Sequence, residues 1–173
     1  MAFCRWLAEK MKLDVQLPTE WQWERAARGR DGQAYPWGKE YRPGYANINE
    51  KFGNSGDHYL ARTSPVGIYP QAASPDDILD LAGNVWEWCR NEYEHPERTG
   101  PNGSESRAMR GGSWVFTQDH ARAGYRDRPC QLPPGFQSDH VGFRVVVVVS
   151  HPKRWTPGHR TLIRWGGDHR LNP

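Results

Sequence analysis

Hydrophobic residues recur at helical spacing close to the beginning of the chain. Phe3, Leu7 and Met11 follow one another at intervals of four residues, and Trp6 lies beside them. A four-residue repeat places side chains on one face of a helix. The pattern therefore predicts a short amphipathic helix over residues 3–12.

A second helix is predicted from its end signals rather than from periodicity. Thr19 is followed three residues later by Gln22, which is the sequence of a capping box. Two alanines favour helix within the stretch, and Gly29 is a typical residue just after a helix end. We expect a helix from about Glu20 to Arg28.

The pattern becomes irregular after residue 29. Segment 30–75 is rich in Gly, Pro, Asn and Tyr, and its aromatic residues predict ordered irregular structure rather than disorder. Alternating or β-branched stretches predict strands at 85–89, 109–114 and 142–149, the last ending in five valines that are expected to be buried. Segment 115–140 is polar and irregular.

Composition agrees with a loop-rich fold. The 173 residues include nine Trp, 18 Gly and 14 Pro, so aromatic packing rather than long helices is expected to form the core. One domain is predicted over residues 1–150. Residues 151–173 carry five Lys or Arg against one Asp, a net charge of +4, and are predicted to form a basic tail.

Charge and hydropathy exclude several classes of partner. The whole chain has a net charge of +3, so residues 1–150 are close to neutral and no nucleic-acid partner is expected. No apolar run approaches the ~20 residues of a membrane span, and no signal peptide begins the sequence. A cytoplasmic location is the default expectation, with surface display an alternative if a leader lies upstream.

Five phrases carry a family resemblance. In order along the chain they are LPTEWQWERAAR (17–28), YPWG (35–38), DLAGNVWEWC (80–89), RGGSW (110–114) and VGFRV (141–145). Together they resemble the formylglycine-generating-enzyme, or sulfatase-modifying-factor, family over residues 1–149. The resemblance implies an α+β, C-type-lectin-like fold with little regular secondary structure, two early helices and short antiparallel strands.

The oxidases of this family bind copper through two cysteines, which lie two and seven residues after the last residue of the Gly-Gly-Ser-aromatic motif. The matching positions in this chain are Phe116 and Ala121. Neither side chain offers the soft sulfur ligand that Cu(I) prefers. Cys4, Cys89 and Cys130 are widely spaced and form no metal or disulfide motif. We therefore expect no copper and no catalytic residues.

The resemblance also implies structural calcium sites. The first comprises the side chains of Asp80 and Glu87 with the carbonyls of Gly83 and Val85, and oxygen ligands of this kind suit a hard cation. The alternative is that Asp80 caps a turn and Glu87 pairs with an arginine. The second site matches less clearly onto Asn47, the carbonyl of Ile48, Asp57 and the carbonyl of Tyr59.

The segment after the Gly-Gly-Ser-Trp motif is similar to the C-terminal region of variable proteins from diversity-generating retroelements, which share this fold. That resemblance implies a non-catalytic domain whose surface at 114–140 binds a protein or other macromolecular ligand. The exposed Val-Phe pair at 115–116 favours binding, because exposed apolar side chains often mark interaction sites. The candidate ligand-binding residues are Trp114, Val115, Phe116, Thr117, His120, Tyr125, Asp127, Gln131, Leu132, Phe136, Gln137, Asp139 and His140.

Three other interpretations remain open. The chain is an ordinary family member whose loop has drifted, an oxidase acting on protein cysteine with unusual ligands, or a sensor or regulatory domain of a larger protein. The beginning of the chain directly in a helix motivates the last of these.

Overall fold

The computed structural model describes residues 2–101, 105–127 and 136–149. The predicted boundary at residue 150 and the basic tail lie outside these ranges. The described residues form two compact units: one contains residues 2–16 and 145–149, and the other lies within Leu17–Arg144. The elements, in chain order, are α1 (Ala2–Met11), β1 (Asp14–Gln16), α2 (Glu20–Arg28), a 3₁₀ turn (Pro70–Ala72), β2 (Trp86–Glu92), β3 (Arg107–Arg110), β4 (Val141–Gly142) and β5 (Val146–Val148).

The first unit consists of α1 and a two-stranded antiparallel sheet, in which Val15 of β1 lies opposite Val147 of β5. The predicted helix is confirmed, but Phe3 and Trp6 remain about half exposed. The expectation of a buried strand over the five valines is wrong. Val149 is 64 % exposed and β5 is only three residues long, because a two-stranded sheet buries little surface.

The second unit contains a three-stranded sheet in the order β3-β2-β4. β2 pairs antiparallel with β3 and parallel with β4. The predicted strand at 85–89 is confirmed and continues to Glu92, with Trp86 fully buried on its core face. β3 ends at Arg110 rather than at 114, because Gly111 and Gly112 both adopt positive φ angles and turn the chain away.

Helix α2 forms as its end signals predict. The Thr19 hydroxyl accepts a hydrogen bond from the Gln22 amide at 3.2 Å, and the Gln22 side chain accepts one from the Thr19 amide at 2.8 Å. The helix buries Trp23 and Ala27 against a core that also contains Ile78, Leu81, Cys89, Ala108 and Ala123. Helix and sheet thus share one hydrophobic core.

A buried ionic network also joins α2 to the sheet. One amino group of Arg110 lies 2.9 Å from Glu24 and 3.3 Å from Glu20. Arg126 donates to Glu20 at 2.8 Å. Arg110 and Glu20 are almost completely buried, so each compensates the other's charge.

Segment 30–75 is ordered without helices or strands apart from the 3₁₀ turn, as predicted. The fully buried Glu50 organises its centre, since its carboxylate accepts hydrogen bonds from the Tyr41 hydroxyl and from the amides of Gly44 and His58. Among the described residues, no helix has the length and apolar character required to cross a bilayer.

Candidate functional site

Main-chain hydrogen bonds attach the segment that begins at Trp114 to other parts of the second unit. The Trp114 amide donates to the Asn84 carbonyl at 3.1 Å, and the Phe116 carbonyl accepts from the Asn49 amide at 2.8 Å. Further along, the Ala123 amide donates to the Ala34 carbonyl at 2.8 Å. These bonds do not depend on which side chains the segment carries.

Gly112 permits a close approach between the start of this segment and its middle. The residue has a φ of 74°, and a Cβ atom there would lie 2.9 Å from the carbonyl oxygen of His120. The motif therefore needs glycine both for its backbone conformation and for its proximity to another backbone.

Four half-buried rings lie together beside the buried Trp86. Phe116 is 5.7 Å from Trp86 and 4.9 Å from His120, between ring centroids. His120 lies 4.9 Å from Tyr125, and His140 lies 6.4 Å from Phe116. We call Phe116, His120, Tyr125 and His140 the aromatic surface.

Polar groups orient the two imidazoles of the aromatic surface. Nδ1 of His120 is 3.1 Å from the Thr117 hydroxyl. Nδ1 of His140 is 2.6 Å from the Ser138 hydroxyl and 3.0 Å from the Asp139 carboxylate. The hydrogen bonds from His140 and Ser138 lower the pKa of Asp139. The rings are therefore held by side-chain contacts as well as by packing.

The structure brings most of the predicted ligand-binding residues to the surface. Val115, Phe136, Gln137 and Asp139 are exposed, while Trp114, Thr117 and the four rings of the aromatic surface are half-buried. The prediction does not hold for Asp127, which is only 5 % exposed. Its side chain is buried within the unit and does not face a ligand. Gln131 and Leu132 lie outside the described residues. Trp86 and Ser138 contact these rings but were not among the predicted residues.

The two positions that match the family's copper ligands lie in apolar surroundings. Phe116 packs in the aromatic surface, and Ala121 is fully buried with Ala46, Ile48 and Ala82. Cys4 and Cys89 are buried free cysteines. Burial raises the pKa of the Cys89 thiol, which disfavours the thiolate that binds metals and reacts with electrophiles.

We expect Cys89 to be unreactive towards a thiol reagent such as DTNB at pH 8 in the native chain. The wild type and a Cys89→Ala variant should then show equal numbers of reactive thiols before denaturation, and should differ by one in guanidinium chloride. Because the folded pKa is raised, the contribution of this thiol to stability is present below its unfolded pKa, about 8.5, and is lost as the pH rises further. A difference of one thiol under native conditions would contradict this prediction.

The residues of the first calcium site do not fit a calcium ion. Both oxygens of the Glu87 carboxylate accept hydrogen bonds from the guanidinium of Arg144, and one also accepts from Trp23 Nε1 at 2.6 Å. Asp80 caps a turn, accepting from the Gly67 amide at 2.8 Å. The calcium interpretation of Asp80, Gly83, Val85 and Glu87 is thus replaced by its alternative, in which Glu87 pairs with an arginine.

The second calcium site is more suitable for a cation. Asn47 is almost completely buried, and its side-chain oxygen has no hydrogen-bond partner among the described residues. Its amide nitrogen donates to the Arg62 carbonyl at 2.9 Å and to Asn84 at 3.1 Å. Asp57 is exposed and Tyr59 is half-buried. A buried, unpaired amide oxygen suits an oxygen-binding ion.

Comparison with known proteins places the fold and motifs in a described family. A family model described as "Sulfatase-modifying factor enzyme 1-like domain" matches residues 1–149. The chain is 36 % identical over 159 residues to "Inactive C-alpha-formylglycine-generating enzyme 2" of Mus musculus, covering 88 % of this chain and 47 % of that protein. It is 32 % identical over 170 residues to "Formylglycine-generating enzyme" of Mycobacterium tuberculosis, covering 84 % of this chain and 53 % of that protein. The chain therefore spans about half the length of these relatives.

Among solved structures, "Treponema denticola variable protein 1" superposes on this chain with a TM-score of 0.57 at 28 % identity, covering 76 % of this chain and 46 % of that one. The predicted α+β class and C-type-lectin-like fold are confirmed. The similar proteins include one that is named inactive, one named as an enzyme and one named as a variable protein.

Proposed function

The chain belongs to the family of sulfatase-modifying factor enzyme 1-like domains, and on that premise we propose that it is a non-catalytic ligand-binding domain. The proposed binding surface is the aromatic surface together with the exposed residues around it, and the proposed partner is a protein or other macromolecule. We further propose that the domain is a variable protein of a diversity-generating retroelement. The similarity to a solved variable protein and to a relative named inactive supports this choice over oxidation of protein cysteine.

The main-chain anchoring of the segment from Trp114 to Ala123 is the observation that carries the proposal. Backbone hydrogen bonds and the close approach at Gly112 set the path of this segment, so an exposed side chain such as that of Val115 can change without changing that path. Substitutions at exposed positions typically alter stability by only about 0.5 kcal/mol. A rigid backbone that carries replaceable side chains is the arrangement of a recognition loop.

The aromatic surface indicates what kind of contact the ligand makes. Half-exposed aromatic rings bury a large apolar area at little cost in side-chain entropy, and such residues dominate protein interfaces. The imidazoles of His120 and His140 add polar atoms at the edge of Phe116. An apolar or aromatic side chain on a protein partner, surrounded by polar groups, matches this chemistry.

Replacement of Phe116 by alanine should weaken binding at least tenfold, because loss of a central aromatic contact costs about 2 kcal/mol or more. Clones selected on the wild type from a phage-displayed library of random peptides would be titrated against both proteins. The matched control is Val66→Ala, since Val66 is 83 % exposed and lies outside the aromatic surface. Affinity should be unchanged in the control.

Two outcomes would reject the proposal. One is selection of clones that bind the wild type and Phe116→Ala equally well. The other is stoichiometric Cu(I) binding by the wild type together with oxidation of a cysteine-containing sulfatase peptide, which would assign the oxidase activity instead.

We also propose that a calcium ion binds at the second site, held by the side chains of Asn47 and Asp57 and the carbonyls of Ile48 and Tyr59. The unpaired, buried oxygen of Asn47 supports this proposal. The ion would stabilise the irregular segment around it and take no part in chemistry.

A further inference from the structure

We infer that the guanidinium of Arg144 occupies the place of a metal ion in the loop between Leu79 and Glu87. This loop accordingly binds no divalent metal ion. The inference concerns stability and is independent of the proposed ligand-binding function. It explains why a loop whose sequence matches a calcium site is satisfied without one.

The guanidinium of Arg144 is surrounded by oxygen acceptors from this loop. One amino group donates to the Asp80 carbonyl at 2.6 Å and to a Glu87 carboxylate oxygen at 2.6 Å. The other amino group donates to the Leu79 carbonyl at 3.2 Å, and Nε donates to the second carboxylate oxygen of Glu87. Two backbone carbonyls and a carboxylate are the oxygen types that a calcium site uses.

The charge of Glu87 is balanced without a metal ion. Glu87 is only 7 % exposed and carries one negative charge, which Arg144 meets through two parallel hydrogen bonds. Trp23 supplies a third, neutral donor to the same carboxylate. A divalent ion bound to Glu87 would lie beside the buried guanidinium of Arg144, and two neighbouring cations on one buried carboxylate are unfavourable.

Arg144 also attaches the last residues of the second unit to the loop that precedes β2. The residue follows β4, whose Gly142 lies beside Glu87 of β2 in parallel register. A single side chain therefore connects the chain after β4 to the loop before β2. Loss of Arg144 should loosen both segments at once.

Calcium binding measured by equilibrium dialysis tests the inference directly. Wild type, Asp57→Ala and Asp80→Ala would be dialysed against CaCl₂ at pH 7 as full chains. We expect at most one ion per chain in the wild type, none in Asp57→Ala, and no loss of ions in Asp80→Ala. An ion that persists in Asp57→Ala and disappears in Asp80→Ala would overturn the inference. A wild type that binds no ion would reject the calcium proposal at Asn47 and leave the role of Arg144 supported.

A double-mutant cycle tests the same contact without any metal. Arg144→Met removes the charge at similar volume, and Glu87→Gln keeps an acceptor for Trp23. In EDTA, Arg144→Met should lower the Tm by about 10 °C, and the double variant should lose less than the two single variants added together. The inference would be overturned if the losses of the two single variants add up to the loss of the double variant. It would also be overturned if the Tm of Arg144→Met lies within about 2 °C of the wild-type value. Arg144→Lys, which keeps the charge but not the planar fork, should fall between wild type and Arg144→Met.

Discussion

Replacement of Arg110 by methionine is expected to lower the free energy of unfolding by about 3–5 kcal/mol. Arg110 is only 4 % exposed, and it pairs with Glu24 and with Glu20, which is itself 3 % exposed. Its other amino group donates to the Tyr125 carbonyl at 3.3 Å. Without the Arg110 guanidinium, the buried carboxylate of Glu20 would keep only one of its two positively charged partners, Arg126.

Chemical denaturation followed by tryptophan fluorescence measures this effect. Arg25→Met is the matched control, because Arg25 forms an exposed ion pair with Asp76 at 3.4 Å and such pairs contribute about 0–1 kcal/mol. Equal losses in the two variants would show that burial of the network contributes nothing. Since Arg110 also holds the Tyr125 backbone, its loss should weaken ligand binding even under conditions in which the variant remains folded.

Replacement of Gly83 by alanine is expected to destabilise the chain by about 3 kcal/mol, combining a disfavoured backbone conformation with overpacking. Gly83 has a φ of 75°, and an added Cβ would lie 2.8 Å from the Ile48 side chain and 3.0 Å from the carbonyl carbon of Asn47. The neighbouring atoms are largely backbone, and Gly83 and Asn47 pair directly as an isolated β-bridge. The clash therefore cannot be relieved by a rotamer change.

Two other glycines separate the causes of this effect. Gly67 has a φ of 78°, close to that of Gly83, and an added Cβ would meet only Leu79 at 3.8 Å, so Gly67→Ala should report backbone strain alone. Gly100 has open space and a φ outside the left-handed region, so Gly100→Ala should change the unfolding free energy by less than about 0.5 kcal/mol. If Gly83→Ala is no worse than Gly67→Ala in a thermal or denaturant melt, the close approach to Asn47 has no energetic weight.

Local signals were sufficient for part of the fold. The capping box at Thr19 depends on neighbouring residues, so the sequence alone predicted helix α2, whereas the strand predicted through Gly111 and Gly112 ends at Arg110. The exposed valines of β5 were not foreseen, because five β-branched residues indicate a strand but not how many layers cover it. Sequence pattern specifies an element more readily than its partner.

The candidate site shows the same division. Val115 is exposed and Phe116 is half-buried, whereas Asp127 is buried, and such burial depends on tertiary structure that no local pattern reveals. Glu87 pairs with Arg144 instead of serving as a calcium ligand, and Arg144 lies 57 positions further along the chain. Ion pairs of this kind depend on tertiary structure, and only their chemical types could be anticipated.

The pairing of β1 with β5 has a consequence for folding kinetics. It joins residues 14–16 to residues 146–148, so the first unit forms only after nearly all of the described chain has been synthesised. Closing so long a loop carries an entropic cost, and structures dominated by non-local pairing fold slowly. During synthesis, β1 therefore stays unpaired until residues 146–148 have emerged.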